Sequence, residues 1–93
     1  MTSWTGRGAA TRVHSPDYDA DFWALSAEVQ SQIEDKIHAM GLRLAEFPHH
    51  RMKGSSDFRL RVGDYRVIYQ FNVRENVIYL YAIGHRREVY RKR

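Results

Sequence analysis

A single α+β domain is predicted for this chain, with a short N-terminal strand, a helical hairpin and then a three-stranded antiparallel meander completing a small sheet. Three observations predict it. Apolar residues recur at helical spacing before residue 48. From Phe58 onward they alternate with polar ones. A Gly-Asp pair then sits between two alternating runs, where a tight hairpin needs it. With 93 residues, 43% of them apolar and 12 of them aromatic, the chain has enough material for one modest core.

Residues 1–10 are small, polar and glycine-bearing, and are expected to form a flexible leader. Residues 11–93 are expected to be one domain. Thr11-Arg12-Val13-His14 has the length of an edge strand. Ser15-Pro16-Asp17 then reads as a helix start, with serine at the N-cap, proline in the first turn and a carboxylate near the positive end of the helix dipole. This first helix is expected to turn Phe22, Trp23 and Leu25 inward and to end near Ser26.

Ser26 can cap a second helix, along which Val29, Ile33, Ile37, Met40 and Leu44 draw one apolar stripe. Gly41 weakens it locally and Pro48 is expected to stop it. In the meander, Phe58, Leu60 and Val62 alternate with Arg59 and Arg61, and Gly63-Asp64 supplies a two-residue primed turn. Tyr65, Val67, Tyr69 and Phe71 continue on the other side. After a loop over residues 72–76, a third strand over 77–83 is apolar on both faces, and Gly84 is expected to break it.

The composition also excludes. There is no cysteine, hence no disulfide, cysteine nucleophile or cysteine-based zinc site. No apolar run reaches membrane-spanning length and the first residues lack the apolar core of a signal peptide, so a cytoplasmic protein without a membrane partner is expected. His49-His50 suggests a metal pair, but adjacent residues diverge and no third ligand follows. Loop histidines, and no metal or cofactor, are expected. Asp17, Asp19 and Asp21 read as an acidic helix start, and Trp23 as core.

Charge is unevenly placed. Residues 1–50 hold 4 Lys/Arg against 7 Asp/Glu, a balance of −3. Residues 51–93 hold 11 against 4, a balance of +7. Such segregation is the footprint of a polyanion binder. If Gly63 and Asp64 form the turn, Arg61 faces Arg66 across the hairpin, and Arg59 lies on the same face. Like charges placed opposite each other destabilise a sheet, and an anion between them removes the conflict, because the guanidinium fork matches phosphate oxygens. Gly84-His85-Arg86-Arg87-Glu88-Val89-Tyr90 then brings an imidazole, two arginines and a phenol to the end of that sheet. His85 and Tyr90 are its candidate proton carriers. Lys53 and Arg87 are further candidates for phosphate contact.

The runs Met52-Lys53-Gly54, Phe58-Arg59-Leu60-Arg61-Val62-Gly63-Asp64-Tyr65-Arg66-Val67-Ile68-Tyr69 and Gly84-His85-Arg86-Arg87-Glu88-Val89-Tyr90 closely resemble the RelE family of toxin–antitoxin toxins, within the RelE/ParE superfamily. The likeness is strong over roughly residues 51–91, and the helical hairpin fits it over 11–50. It implies a microbial-RNase-like fold and metal-independent cleavage of mRNA in the ribosomal A site by 2′-hydroxyl attack. It implies a cognate antitoxin covering the basic sheet face, with operator DNA met only through the toxin–antitoxin complex.

The resemblance also implies residue roles. Arg66 would stabilise the phosphate and transition state, Arg86 would assist the leaving group, and Tyr90 would activate the 2′-hydroxyl. Arg59 and Arg61 stand where relatives carry basic residues. Some members have lysines in that strand. Arginine does not readily donate a proton, so His85 is a further candidate for acid or base. Two alternatives stay open: a ParE-like inhibitor of DNA gyrase, and a non-catalytic nucleic-acid-binding module.

Overall fold

The computed structural model describes residues 8–88. The order is β1 (Thr11–His14), α1 (Pro16–Trp23), α2 (Ala27–Leu42), β2 (His50–Arg51), β3 (Phe58–Val62), β4 (Tyr65–Asn72) and β5 (Val77–His85). The strands make one mixed sheet in the order β1-β5-β4-β3-β2, with β1 parallel to β5 and the other neighbours antiparallel. The α+β architecture and the meander follow the sequence expectation, with the two-residue β2 added at the far edge.

Both helix starts are as expected. Ser15 accepts at its Oγ from the Tyr18 amide, and Ser26 from the Val29 amide. Gln30 ties the connection together, its Nε2 donating to the carbonyls of Phe22 and Leu25 at 3.0 Å each. The core lies on one face of the sheet, where Tyr18 of α1 and Ile33, Ile37 and Met40 of α2 meet Leu60, Val62, Val67, Tyr69, Ile78, Leu80 and Ile83.

Four expectations need correction. Trp23 is not core: it is 73% exposed, and Tyr18 is the buried aromatic of α1. Tyr18 and Phe22 lie one turn apart on the face packed against the core, and Trp23, one residue further, points off that face. Next, α2 ends at Leu42, well before Pro48. Gly41 lies at this end because Ala10 crosses there: the Ala10 amide donates to the Gly41 carbonyl at 3.0 Å, and a Cβ on Gly41 would stand 3.3 Å from that amide nitrogen.

Third, Gly84 does not break β5. The strand runs through it to His85, with Gly84 paired to Arg66. Fourth, only His49 of the histidine pair is a loop residue. His50 is in β2, and His49 stacks on Phe71 with ring centres 3.7 Å apart. The chain is also anchored before Thr11: besides Ala10, the Gly8 carbonyl accepts from Asn76 Nδ2 at 3.1 Å.

The hairpin turn has positive φ at Gly63 (58°) and not at Asp64, the pattern of a II′ turn. Between β4 and β5 there is one irregularity. Ile68 pairs with Ala82 but Tyr69 with Leu80, which leaves Tyr81 without an opposite residue. β1 stops pairing at His14↔Leu80, so the outer edge of β5 is open from Tyr81 onward. Side chains from α1 and its N-cap close it: Ser15 Oγ donates to the Tyr81 carbonyl at 2.7 Å, and Asp21 Oδ2 accepts from the Ile83 amide at 2.9 Å.

Candidate nucleic-acid interface

The hairpin register places the arginines. Val62 pairs with Tyr65, Arg61 with Arg66 and Arg59 with Ile68, so Arg59, Arg61 and Arg66 share the sheet face turned away from the helices. That face is not purely cationic. Ile68 and Ala82 form a small second apolar cluster on it, flanked by Met52 and Tyr81. Beyond them, Gln70 Nε2 donates to Asp57 Oδ1 (2.9 Å) and Ser56 Oγ (3.1 Å), while Tyr81 Oη donates to Gln70 Oε1 (3.2 Å). From the turn outward the face reads as arginines, an apolar step and a polar network.

Arg66 is the unusual member. It is only 8% exposed, and its Nη1 donates to the carbonyls of Gly63 (3.0 Å) and Tyr65 (2.9 Å). No carboxylate pairs with it among the described residues. A charge removed from water needs compensation, and two carbonyls orient a guanidinium without neutralising it. Its partner in the register, Gly84, has no Cβ, as suits a strand position that another group approaches closely. The position therefore holds a fixed, under-neutralised cation beside Arg61.

Not every candidate joins that face. His85 pairs with Tyr65, whose ring packs on the main core, and the two rings lie 6.0 Å apart edge to face. His85 thus stands on the helix-bearing side at the end of β5, away from Arg66. Its Nδ1 accepts from the Arg87 amide at 3.4 Å and shapes the turn that follows. Arg86 and Arg87 are exposed in this turn, and the Arg86 amide donates to the Asp64 carbonyl at 2.8 Å. The segment after β5 therefore lies against the β3–β4 turn, next to Arg66. Lys53 is exposed in the loop after Met52. Tyr90 lies outside the described residues.

The sequence reading missed His50. Pairing with Arg59 puts it on the arginine face, but a two-residue strand carries no periodic signal that would have revealed this. His49 takes a structural part. Its Nε2 can only donate to the Leu44 carbonyl (2.7 Å), so its Nδ1 accepts from the Tyr69 hydroxyl (2.6 Å). Burial lowers the His49 pKa and raises that of the Tyr69 phenol. Among the described residues, no group of three or more His, Asp or Glu could hold a metal ion, and no helix is long and apolar enough to cross a membrane.

Several solved structures share this fold. The RelBE2 toxin–antitoxin complex of Mycobacterium tuberculosis aligns with a TM-score of 0.69 at 13% identity, over 87% of this chain and 97% of that one. The isolated RelE toxin of E. coli gives 0.70 at 19% identity, over 90% and 94%. The RelE–RelB complex of Pyrococcus horikoshii gives 0.68 at 19%, over 84% and 96%. At these identities the likeness concerns the fold. No curated protein sequence matches the chain. Residues 14–90, which run from the end of β1 past the basic turn, match the family described as the ParE toxin of the type II toxin–antitoxin system parDE. The chain belongs to that family and is a type II toxin of the RelE/ParE superfamily.

Proposed function

We propose that this toxin is a ribosome-dependent, metal-independent mRNA endonuclease that blocks translation by cutting mRNA in the A site. The observation that carries it is Arg66, a buried guanidinium held by two backbone carbonyls and, among the described residues, with no carboxylate beside it, on the same face as Arg59 and Arg61. Phosphodiester cleavage by a 2′-hydroxyl builds negative charge on the non-bridging oxygens, and fixed cations stabilise that charge more than the ground state. Arg66 would hold the scissile phosphate, with Arg59, Arg61, Lys53 and Arg87 on the flanking backbone. Arg86 would assist the departing 5′-oxygen, and Tyr90 would act at the 2′-hydroxyl. An antitoxin segment with acidic side chains, laid across this face, would neutralise the cations and exclude RNA. Operator DNA would be met only through that complex. Such chemistry belongs in the cytoplasm, where the ribosomes are.

The match to the family described as the ParE toxin keeps a second reading beside it, the ParE-like inhibition of DNA gyrase without RNA cleavage that the resemblance also allows. Toeprinting of mRNA on ribosomes separates the two. Codon-linked cuts that vanish in Arg66→Ala and Tyr90→Phe support the endonuclease. Intact mRNA together with inhibited gyrase supercoiling establishes the other reading.

A further inference from the structure

At the sheet edge formed by β2, a cleft of about 230 Å³ is lined by His50, Arg59 and Arg61. A neighbouring hollow of about 140 Å³ is also lined by these three, together with Lys36, Phe47, Pro48 and Leu60. The cleft exists because β2 is so short. His50 pairs with Arg59 and Arg51 with Phe58, so among the described residues no strand lies against the edge of β3 beside Leu60, Arg61 and Val62. Among the described residues, no carboxylate lines either hollow.

The chemistry of such a cleft is narrow. Two guanidiniums and an ammonium attract a phosphodiester, but none of them exchanges a proton near neutrality. An imidazole does. His50 is exposed, so it is open to a ligand, and it shares its sheet face with both arginines. His85, by contrast, stands on the helix-bearing face.

We propose that His50 is a catalytic residue of this toxin, the general base for cleavage of single-stranded RNA held in the cleft by Arg59 and Arg61. The assignment rests on the endonuclease reading above and deepens it. In the step, His50, in the part that the resemblance gives to Tyr90, takes the proton of the 2′-hydroxyl as the 2′-oxygen bonds to phosphorus. The bond from phosphorus to the 5′-oxygen breaks, and that oxygen takes a proton from water. The products are a 2′,3′-cyclic phosphate and a 5′-hydroxyl, and His50 then returns its proton to solvent. The charged groups facing His50 are Arg59 and Arg61 of β3 and Lys36 of α2, with Arg51 next to it in the chain. All four are cations without a basic lone pair, so among the described residues lining the cleft the imidazole is the group able to accept a proton.

The test is single-turnover cleavage of ribosome-bound mRNA by wild type, His50→Gln and His50→Ala, from pH 5 to 8. The expected result is a loss of about 100-fold or more in the cleavage step and a flattened low-pH limb. Ribosome affinity and thermal midpoint should change little, and free imidazole should partly restore His50→Ala. If wild type cuts and His50→Gln cuts equally fast with the same pH profile, the assignment is wrong and the endonuclease reading stands. If only affinity falls, His50 is a binding group and the assignment is equally wrong. If wild type leaves the mRNA intact, the endonuclease reading fails and this assignment falls with it.

Discussion

At the scale of single residues, stability and activity make opposite demands on Arg66. Its two bonds to carbonyls have a charged donor and contribute about 1.5–3 kcal/mol each, while burying the charge costs several kcal/mol and offsets them. Arg66→Ala should therefore shift the unfolding free energy by only about 1 kcal/mol in urea titration while removing mRNA cleavage. A large stability loss would mean that the guanidinium is there for the fold. His49 shows the reverse pattern, a titrating group with a structural part. Burial lowers its pKa and opposes protonation in the folded state. The unfolded chain, in which histidine titrates near 6.5, binds more protons, so His49 contributes stability fully above that value and loses it as pH falls below it. Urea midpoints should drop between pH 7.5 and 5.5, and His49→Gln should show a smaller drop. The position of Arg66 was legible from alternation alone; its burial was not, because that depends on where a long side chain curls back. Trp23 misled for another reason: it follows Phe22 directly and so stands off the helix face that Tyr18 and Phe22 share against the core.

At the scale of elements, β5 depends on α1. The bulge at Tyr81 and the early end of β1 leave backbone groups on the outer edge of β5, and Ser15 and Asp21 take two of them. Asp21 is thus more than a favourable charge at a helix start: it completes the ladder of a neighbouring strand. Asp21→Ala should cost about 1–3 kcal/mol through loss of a charge-assisted bond to the Ile83 amide. Asp21→Asn, which keeps an acceptor oxygen, should cost less than half of that, as read from chemical denaturation. Equal costs for the two would show that the acceptor does not matter. The helices, the hairpin and its register were readable because caps, turn glycine and period are local signals. The existence of β2 was not, because two residues carry no period, and the bulge and the parallel pairing of β1 were not, because each is decided by a partner distant in sequence. Gly84 looked like a terminator for this reason too: its strand context comes from Arg66, eighteen positions earlier.

At the scale of the whole molecule, the split between an acidic first half and a basic second half of the chain becomes a difference between faces. Six of the seven acidic residues of the first half lie on α1 and α2, on the helix side of the sheet. Arg59, Arg61 and Arg66 lie on the other side. A molecule built this way presents one face to a polyanion and repels it with the other, which orients encounter before any specific contact forms. The consequence is measurable as counterion release. Each phosphate contact to single-stranded RNA contributes about −0.7 to the slope of log affinity against log salt. Removing Arg59 and Arg61 together should therefore flatten the slope for a short single-stranded RNA by about 1.4. Arg43→Ala with Arg74→Ala removes the same charge from the groove beside Leu42 and Val73, which the sheet register leaves apart from the arginine face. That control should leave the slope nearly unchanged. Equal flattening by both pairs would mean that net charge alone attracts RNA, and the arginine face would lose its claim to be the contact surface.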